Sequence, residues 1–132
     1  MAVMLIIALA ASLVMTLVPG TGRAKLKSVT LETAALLRRE RLGAILTGHD
    51  REVVLDGDHR RLIGQGGGVV TIPSDVILDI LGAQNLWQGR RSIVRFHADG
   101  ASSGAVLRLS REEANYEIRV NWFTGGVAIG YP

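Results

Sequence analysis

Cysteine is absent from this chain of 132 residues, which excludes disulfide frameworks, thiolate metal sites and thiol nucleophiles. Redox compartment therefore cannot be read from cysteine usage. Positive charge is missing from the start of the chain as well. Met1 to Val18 holds only Ser12 and Thr16 as polar residues, and the first Lys or Arg is Arg23. A cleavable export signal places basic residues ahead of its apolar stretch and ends on a small-x-small cleavage site. Ala8, Ala10 and Ala11 lie in the middle of the run, so cleavage there would leave Leu13 to Val18 unexplained. No internal repeat is present either, and no low-complexity tract beyond a short glycine run, which sets repeat architectures aside.

What is present falls into two regimes. The apolar fraction of 48% is raised by the opening segment, and beyond Gly20 the chain reads as an ordinary domain rich in Arg and Gly. Met4, Leu5, Ile6, Ile7, Leu9, Leu13, Val14, Leu17 and Val18 form a stem with no polar face. As a helix Met1 to Val18 would reach roughly 27 Å, slightly short of a bilayer core. Uniform apolarity over that length exceeds what a small soluble domain can cover on all sides, so we expect residues 1–22 to be a membrane-type stem. Residues 23–132 then make one folded domain. The net charge of +3 is compatible with anionic lipid or nucleic acid and demands neither.

Pro19-Gly20 should loosen the helix, after which helical spacing resumes. Leu26, Val29, Thr33, Leu36, Leu37 and Ala44 fall on one face, with Lys27, Glu32, Arg38, Arg39 and Arg41 largely around the rest. Gly48 is placed to end this amphipathic helix. From Arg51 the period becomes two. REVVLD and HRRLIG read as a hairpin, with Asp56-Gly57 supplying the positive backbone angles of a tight turn. VVTI, DVILDI, RSIVRF, AVLRLS, NYEIRVNW and GVAIGY follow as strand candidates. In NYEIRVNW the alternation predicts Tyr116, Ile118, Val120 and Trp122 on the core face. A helix and a half-buried sheet each need a partner surface, and packing them together satisfies both.

Chemical motifs are sparse. Gly100 to Gly104 matches G-x-S-x-G, but a nucleophile elbow needs a helix after its serine and AVLRLS is a strand. A Gly/Ser hairpin loop accounts for it. Gly64-Gln65-Gly66-Gly67-Gly68 lacks the Lys-Ser/Thr of a phosphate loop and reads as a flexible connection. Asp56-Gly57-Asp58 offers too few oxygens for calcium, and His49, His59 and His97 show no ligand spacing. Arginines are frequent, with Arg90, Arg91 and Arg95 on one strand as candidate phosphate contacts. Acidic residues are interspersed throughout, so a solvated surface also accounts for them.

A membrane-type helix running into an amphipathic helix and then antiparallel strands resembles a type IV pilin-like subunit, an α+β fold with a long N-terminal helix packed on antiparallel sheets. Asp99-Gly100-Ala101-Ser102-Ser103-Gly104 resembles the D-G-x-S-S-G pattern of GspH/FimT-like minor pseudopilins. The stretch Ile118 to Val127 is similar to that family's V-D-x-L-T-G-x-V, with Val120, Thr124, Gly125 and Val127 at matching positions. Asn121 stands where Asp is frequent, Phe123 where Leu is common and Gly126 where a basic residue is frequent. The family opens with Gly at a prepilin peptidase site followed by Phe-Thr-Leu-x-Glu. We therefore expect a short leader and the first residues of the stem upstream of Met1.

The resemblance implies a structural subunit of a type II secretion system that helps to initiate or cap the pseudopilus, with no catalytic residue, no metal and no cofactor. Its implied partners are other minor and major pseudopilins, the inner-membrane secretion platform and membrane lipid. Its implied place is a single pass through the inner membrane with the domain in the periplasm. One alternative is a FimT-like minor pilin binding DNA through Arg90, Arg91 and Arg95. Another is a secreted enzyme whose first segment is a cleaved signal.

Overall fold

The computed structural model describes residues 22–130. The stem positions Met4, Leu5, Ile6, Ile7, Leu9, Leu13, Val14, Leu17 and Val18, and the Pro19-Gly20 pair, lie outside the described residues. Among the described residues no helix is long and apolar enough to cross a membrane.

Helix α1 spans Gly22–Thr47. Leu26, Val29, Thr33, Leu36, Leu37 and Ala44 are buried, joined by Thr30, Ala34 and Glu40. The two threonines are tolerated there because each hydroxyl donates to the carbonyl four residues back, Thr30 to Leu26 at 2.8 Å and Thr33 to Val29 at 2.7 Å. Gly48 ends the helix with φ +71 and donates its N–H to Ala44 at 3.0 Å, a left-handed cap that a residue with a Cβ adopts only under strain.

Eight strands follow: β1 (Arg51–Asp56), β2 (Arg61–Gly64), β3 (Val69–Thr71), β4 (Ile77–Ile80), β5 (Arg90–Phe96), β6 (Ala105–Arg111), β7 (Ala114–Val120) and β8 (Val127–Gly130). They form two antiparallel sheets, β3-β2-β1-β5 and β4-β6-β7-β8. The helix packs on both. Alternation decides which side chains face it: Val53 and Leu55 from β1, Leu62 from β2 and Val94 and Phe96 from β5 are buried, with Leu107, Leu109, Ile118 and Val120 from the second sheet. Between Val53 and Val54 the β1–β5 register slips by one residue, which sets Asp56 opposite Arg90.

Three expectations need correction. Gly57 does not carry the positive angle of the first hairpin; Arg60 does, at φ 51. Gly57 is required for a different reason. Its N–H donates to Gly89 at 2.8 Å, and a Cβ there would overlap the Leu86 carbonyl oxygen. Arg60 is held in its unfavourable conformation because its guanidinium donates to the carbonyls of Ile72, Pro73 and Val76 and stacks 3.8 Å over the Trp87 ring.

The glycine run at Gly64–Gly68 is a packed turn and not a flexible connection. Gly64 donates to Gly68 at 2.8 Å and Gly67 to Gly64 at 3.0 Å. The turn closes over Glu40, whose two oxygens accept from the Gly66 N–H at 3.2 Å each. A Cβ at Gly64 would stand 2.6 Å from a Glu40 oxygen, and one at Gly68 would stand 2.7 Å from the Leu36 side chain. These glycines let the backbone approach the helix. Finally, β7 stops at Val120, and Trp122 is 67% exposed instead of lying in the core.

Candidate functional site at the signature loops

The two motif stretches are distant in sequence and meet in space. In the β5–β6 loop the Asp99 carboxylate accepts the Ala101 N–H at 3.0 Å, a local turn that places Gly100 at φ +94. Ser102 is buried. Its hydroxyl donates to the Asn121 carbonyl at 2.9 Å and accepts the Gly104 N–H at 3.0 Å. Its own N–H donates to Trp122 at 2.9 Å. Ser103 holds the loop to β5, its hydroxyl accepting from Arg95 N–H at 2.9 Å while its N–H donates to the Arg95 carbonyl. The Ser102 hydroxyl proton is thus committed to the Asn121 carbonyl, and His97 is engaged with Asp50 at 3.2 Å. The arrangement is structural, as the hairpin-loop reading of G-x-S-x-G anticipates.

The β7–β8 loop is wound around Asn121. Its side-chain oxygen accepts from Phe123 N–H at 2.8 Å and Thr124 N–H at 3.0 Å, the same service an aspartate would perform. Its backbone N–H donates to Gly126 and its carbonyl accepts from Gly125. Thr124 adds a hydroxyl contact to Gly126 N–H at 3.1 Å. Gly125 is buried against the Gly100 backbone, with φ +68. Val120 is buried and Val127 half-buried beside it.

The helix fastens onto this junction. Arg41 Nε donates to the Thr124 carbonyl at 3.1 Å, and Arg38 Nη2 to the Val127 carbonyl at 3.0 Å. Sequence reading places both arginines on a solvated face. The signal that would correct it lies more than eighty residues downstream. Asp99, Gly100, Ser102, Ser103, Gly104, Val120, Thr124, Gly125 and Val127 are thus brought together as a joint between the first sheet, the second sheet and α1.

Arg90, Arg91 and Arg95 lie along β5; Arg90 and Arg91 are away from the joint, and Arg95 meets it through its backbone bonds to Ser103. Arg90 sits 3.7 Å from Asp56, and Arg95 is paired with Glu52. Asp50, Glu52, Arg90 and Arg95 line a groove of about 460 Å³ whose charges are thus mixed. Among the described residues no group of three or more His, Asp or Glu side chains is arranged to hold a metal.

Three carboxylates titrate below their usual range. The His97 hydrogen bond is the main cause at Asp50, aided by the Ala98 N–H. At Asp56 burial pushes the pKa upward, but the hydrogen bond and charge of His59 and the charge of Arg90 outweigh it. At Asp75 burial is likewise outweighed, by the Arg111 hydrogen bond and the charges of Lys25 and Arg111. A carboxyl held low in the folded state contributes stability above its unfolded pKa, near pH 4, and loses it as pH falls through the lower folded value. Urea midpoints should therefore be flat from pH 7 to about pH 5 and drop below about pH 4. Asp56→Asn should lower the neutral midpoint and make the acid decline shallower. An unchanged acid slope in that variant would refute the assignment.

No family model matches the chain. Type II secretion system protein H of Xanthomonas campestris pv. campestris is 33% identical over 113 residues, covering 84% of this chain and 66% of that protein. The chain thus spans just under two thirds of that relative's length. Among solved structures, the minor pseudopilin EpsH of Vibrio cholerae aligns with a TM-score of 0.61 at 16% identity, over 83% of this chain and 98% of that one. The type IV minor pilin FimU of Pseudomonas aeruginosa aligns with a TM-score of 0.58 at 12% identity, over 85% and 92%. The helix on two antiparallel sheets is the fold these structures share. The chain is thus similar in sequence to type II secretion system protein H and shares the fold of the minor pseudopilin EpsH and the minor pilin FimU.

Proposed function

We propose that the protein is a minor pseudopilin of a type II secretion system, a structural subunit that helps to initiate or cap the pseudopilus. The observation that carries this is the 33% identity to type II secretion system protein H. The joint of α1 with both sheets supports it, because a subunit that transmits force needs its helix and head to move together. The chain makes and breaks no bonds in this role. Its partners are other minor and major pseudopilins and the inner-membrane secretion platform. Residues 1–22 anchor it in the inner membrane as a single pass in contact with lipid, and the domain from residue 23 stands in the periplasm.

Deleting the coding sequence should reduce export of type II substrates, and supplying the protein in trans should restore it. Export that is unchanged by deletion would sink the reading. DNA uptake in the manner of FimT has less support, since Arg90 and Arg95 are already matched with carboxylates. A titration with duplex DNA at two salt concentrations tests it directly, because phosphate contacts make binding steeply salt-dependent.

A further inference from the structure

We propose that the corner of the first sheet nearest the stem is a surface for anionic phospholipid headgroups, on which the domain rests beside its own anchor. This rests on the reading of residues 1–22 as a membrane anchor and names a partner for the domain that follows it.

A chain of contacts places this corner. Lys25, in the first turn of α1, pairs with Asp75 at 3.8 Å, and Arg111 at the end of β6 pairs with the same carboxylate at 2.8 Å. In the loop that holds Asp75, the carbonyls of Ile72, Pro73 and Val76 accept from the Arg60 guanidinium, which stacks on the half-buried Trp87. The β1–β2 turn therefore lies at the end of α1 where the apolar stretch Met1 to Val18 joins the chain. Lys25 follows Val18 by seven positions, about 10 Å at helical rise and at most about 25 Å fully extended. Trp122 marks the opposite end. The joint beside it is fastened to Arg41, about 24 Å further along α1 than Lys25.

Charge at this corner is uneven. His59, Arg61 and Arg90 share the one buried carboxylate of Asp56, at 3.0, 3.6 and 3.7 Å. Only the histidine contact is a hydrogen bond. The buried Nε of Arg61 has no hydrogen-bond partner among the described residues, and the Arg90 side chain is 69% exposed. Three carbonyls fix Arg60 without neutralising it. Arg60, Arg61, Arg90 and Arg91 thus stand against Asp56 and Asp58, an excess of two cations. At the rest of this end Lys25, Lys27 and Arg111 offset Asp75, Glu112 and Glu113. At the other end of the first sheet Arg51 is matched by Glu40 and Arg95 by Glu52, and Asp50 adds a carboxylate beside His97. A domain polarised in this way turns its basic end toward an anionic surface, and a tryptophan among cations suits the headgroup layer. Each arginine within a Debye length of such a surface raises the ratio of docked to free domain about fivefold. A polyanion free in solution would have to be captured by two surplus charges alone. The stem already holds the bilayer there, so the same surplus is enough.

The two tryptophans of the chain, one at each end, report the contact. Full-length Trp122→Phe, which keeps Trp87, is reconstituted in vesicles of phosphatidylcholine alone or mixed with phosphatidylglycerol, with a nitroxide on some of the headgroups. Trp87 fluorescence should be quenched in the mixed vesicles and recover as salt rises. Trp122 in the Trp87→Phe protein should stay bright in both. Arg90→Gln and Arg61→Gln should each lower the docked-to-free ratio about fivefold, and together about 25-fold. Arg39→Gln, about 20 Å beyond Lys25 on α1, should leave it unchanged. Circular dichroism checks that each variant is folded. Equal quenching of Trp87 in both lipids, insensitivity to Arg90→Gln and Arg61→Gln, or equal quenching of Trp122 would each overturn the contact. A salt-sensitive response of Trp87 to duplex DNA that phosphatidylglycerol does not produce would assign the corner to nucleic acid and overturn it too. If the chain does not float with vesicles, the anchor reading falls together with the contact, whereas flotation without quenching overturns the contact alone.

Discussion

Gly125→Ala should destabilise the domain by about 3–5 kcal/mol, a large part of the 5–15 kcal/mol typical of a domain. Two costs add. At φ +68 a residue with a Cβ pays roughly 1–2 kcal/mol for the left-handed backbone. The new Cβ would also overlap the Gly100 carbonyl oxygen, a backbone atom that cannot rotate aside. Moving it displaces the turn that presents Ser102 to Asn121 and the carbonyl of Thr124 to Arg41. Gly48→Ala separates the two costs, because Gly48 has φ +71 and nothing within 4 Å of the added Cβ. It should lose only the backbone component, about 1 kcal/mol. Urea unfolding of the two variants checks the difference, and equal losses would show that the Gly100 contact is not tight. If the joint carries force, Gly125→Ala should also reduce export at temperatures where the protein is still folded.

The general architecture was legible because it depends on periodicity. Leu26, Leu37 and Ala44 recur at helical spacing, Leu107 and Leu109 alternate, and all are buried. The joint was legible only as two motifs. Nothing local reveals that Ser102 and Gly125 belong to one contact, or that Arg38 and Arg41 reach across to β8 and the loop before it. Charge on a helix normally signals solvent, and here two guanidinium groups are spent on carbonyls. Trp122 was misplaced because alternation assumes the strand continues. The Asn121 side chain captures the next two N–H groups that matter for the turn, Phe123 and Thr124, and ends the ladder at Val120. Gly57 and the Gly64–Gly68 run carry the same lesson. A glycine in a turn suggests freedom of φ, which Gly67 uses at φ +101, whereas Gly57, Gly64, Gly66 and Gly68 are needed because another segment lies where a side chain would be.

Glu40 shows the limit most sharply and yields the second large effect. Its spacing of three from Leu37 and four to Ala44 puts it on the buried stripe, yet a carboxylate is tolerated there only with partners. Those partners are Gly66 N–H at 3.2 Å and Arg51 at 3.8 Å. Its side chain is fully buried while that of Arg51 keeps 25% exposure, so the loss on Glu40→Ala should be about 3 kcal/mol, the low end for breaking a buried pair. Removing the side chain takes the acceptor from the Gly66 N–H, leaves Arg51 without its counter-charge and opens a cavity beneath the glycine turn. Glu40→Gln keeps an acceptor for Gly66 and fills the space, so it should lose roughly half as much. Pairing Glu40→Ala with Arg51→Ala isolates the coupling between the two groups. A coupling near zero would mean that the Gly66 bond, not the ion pair, holds the turn to the helix. Because Glu40 is out of contact with water, its contribution should change little between low salt and high salt, unlike the exposed pair of Lys25 with Asp75. An equal salt dependence for both would show that water reaches Glu40 and that the glycine turn opens in solution.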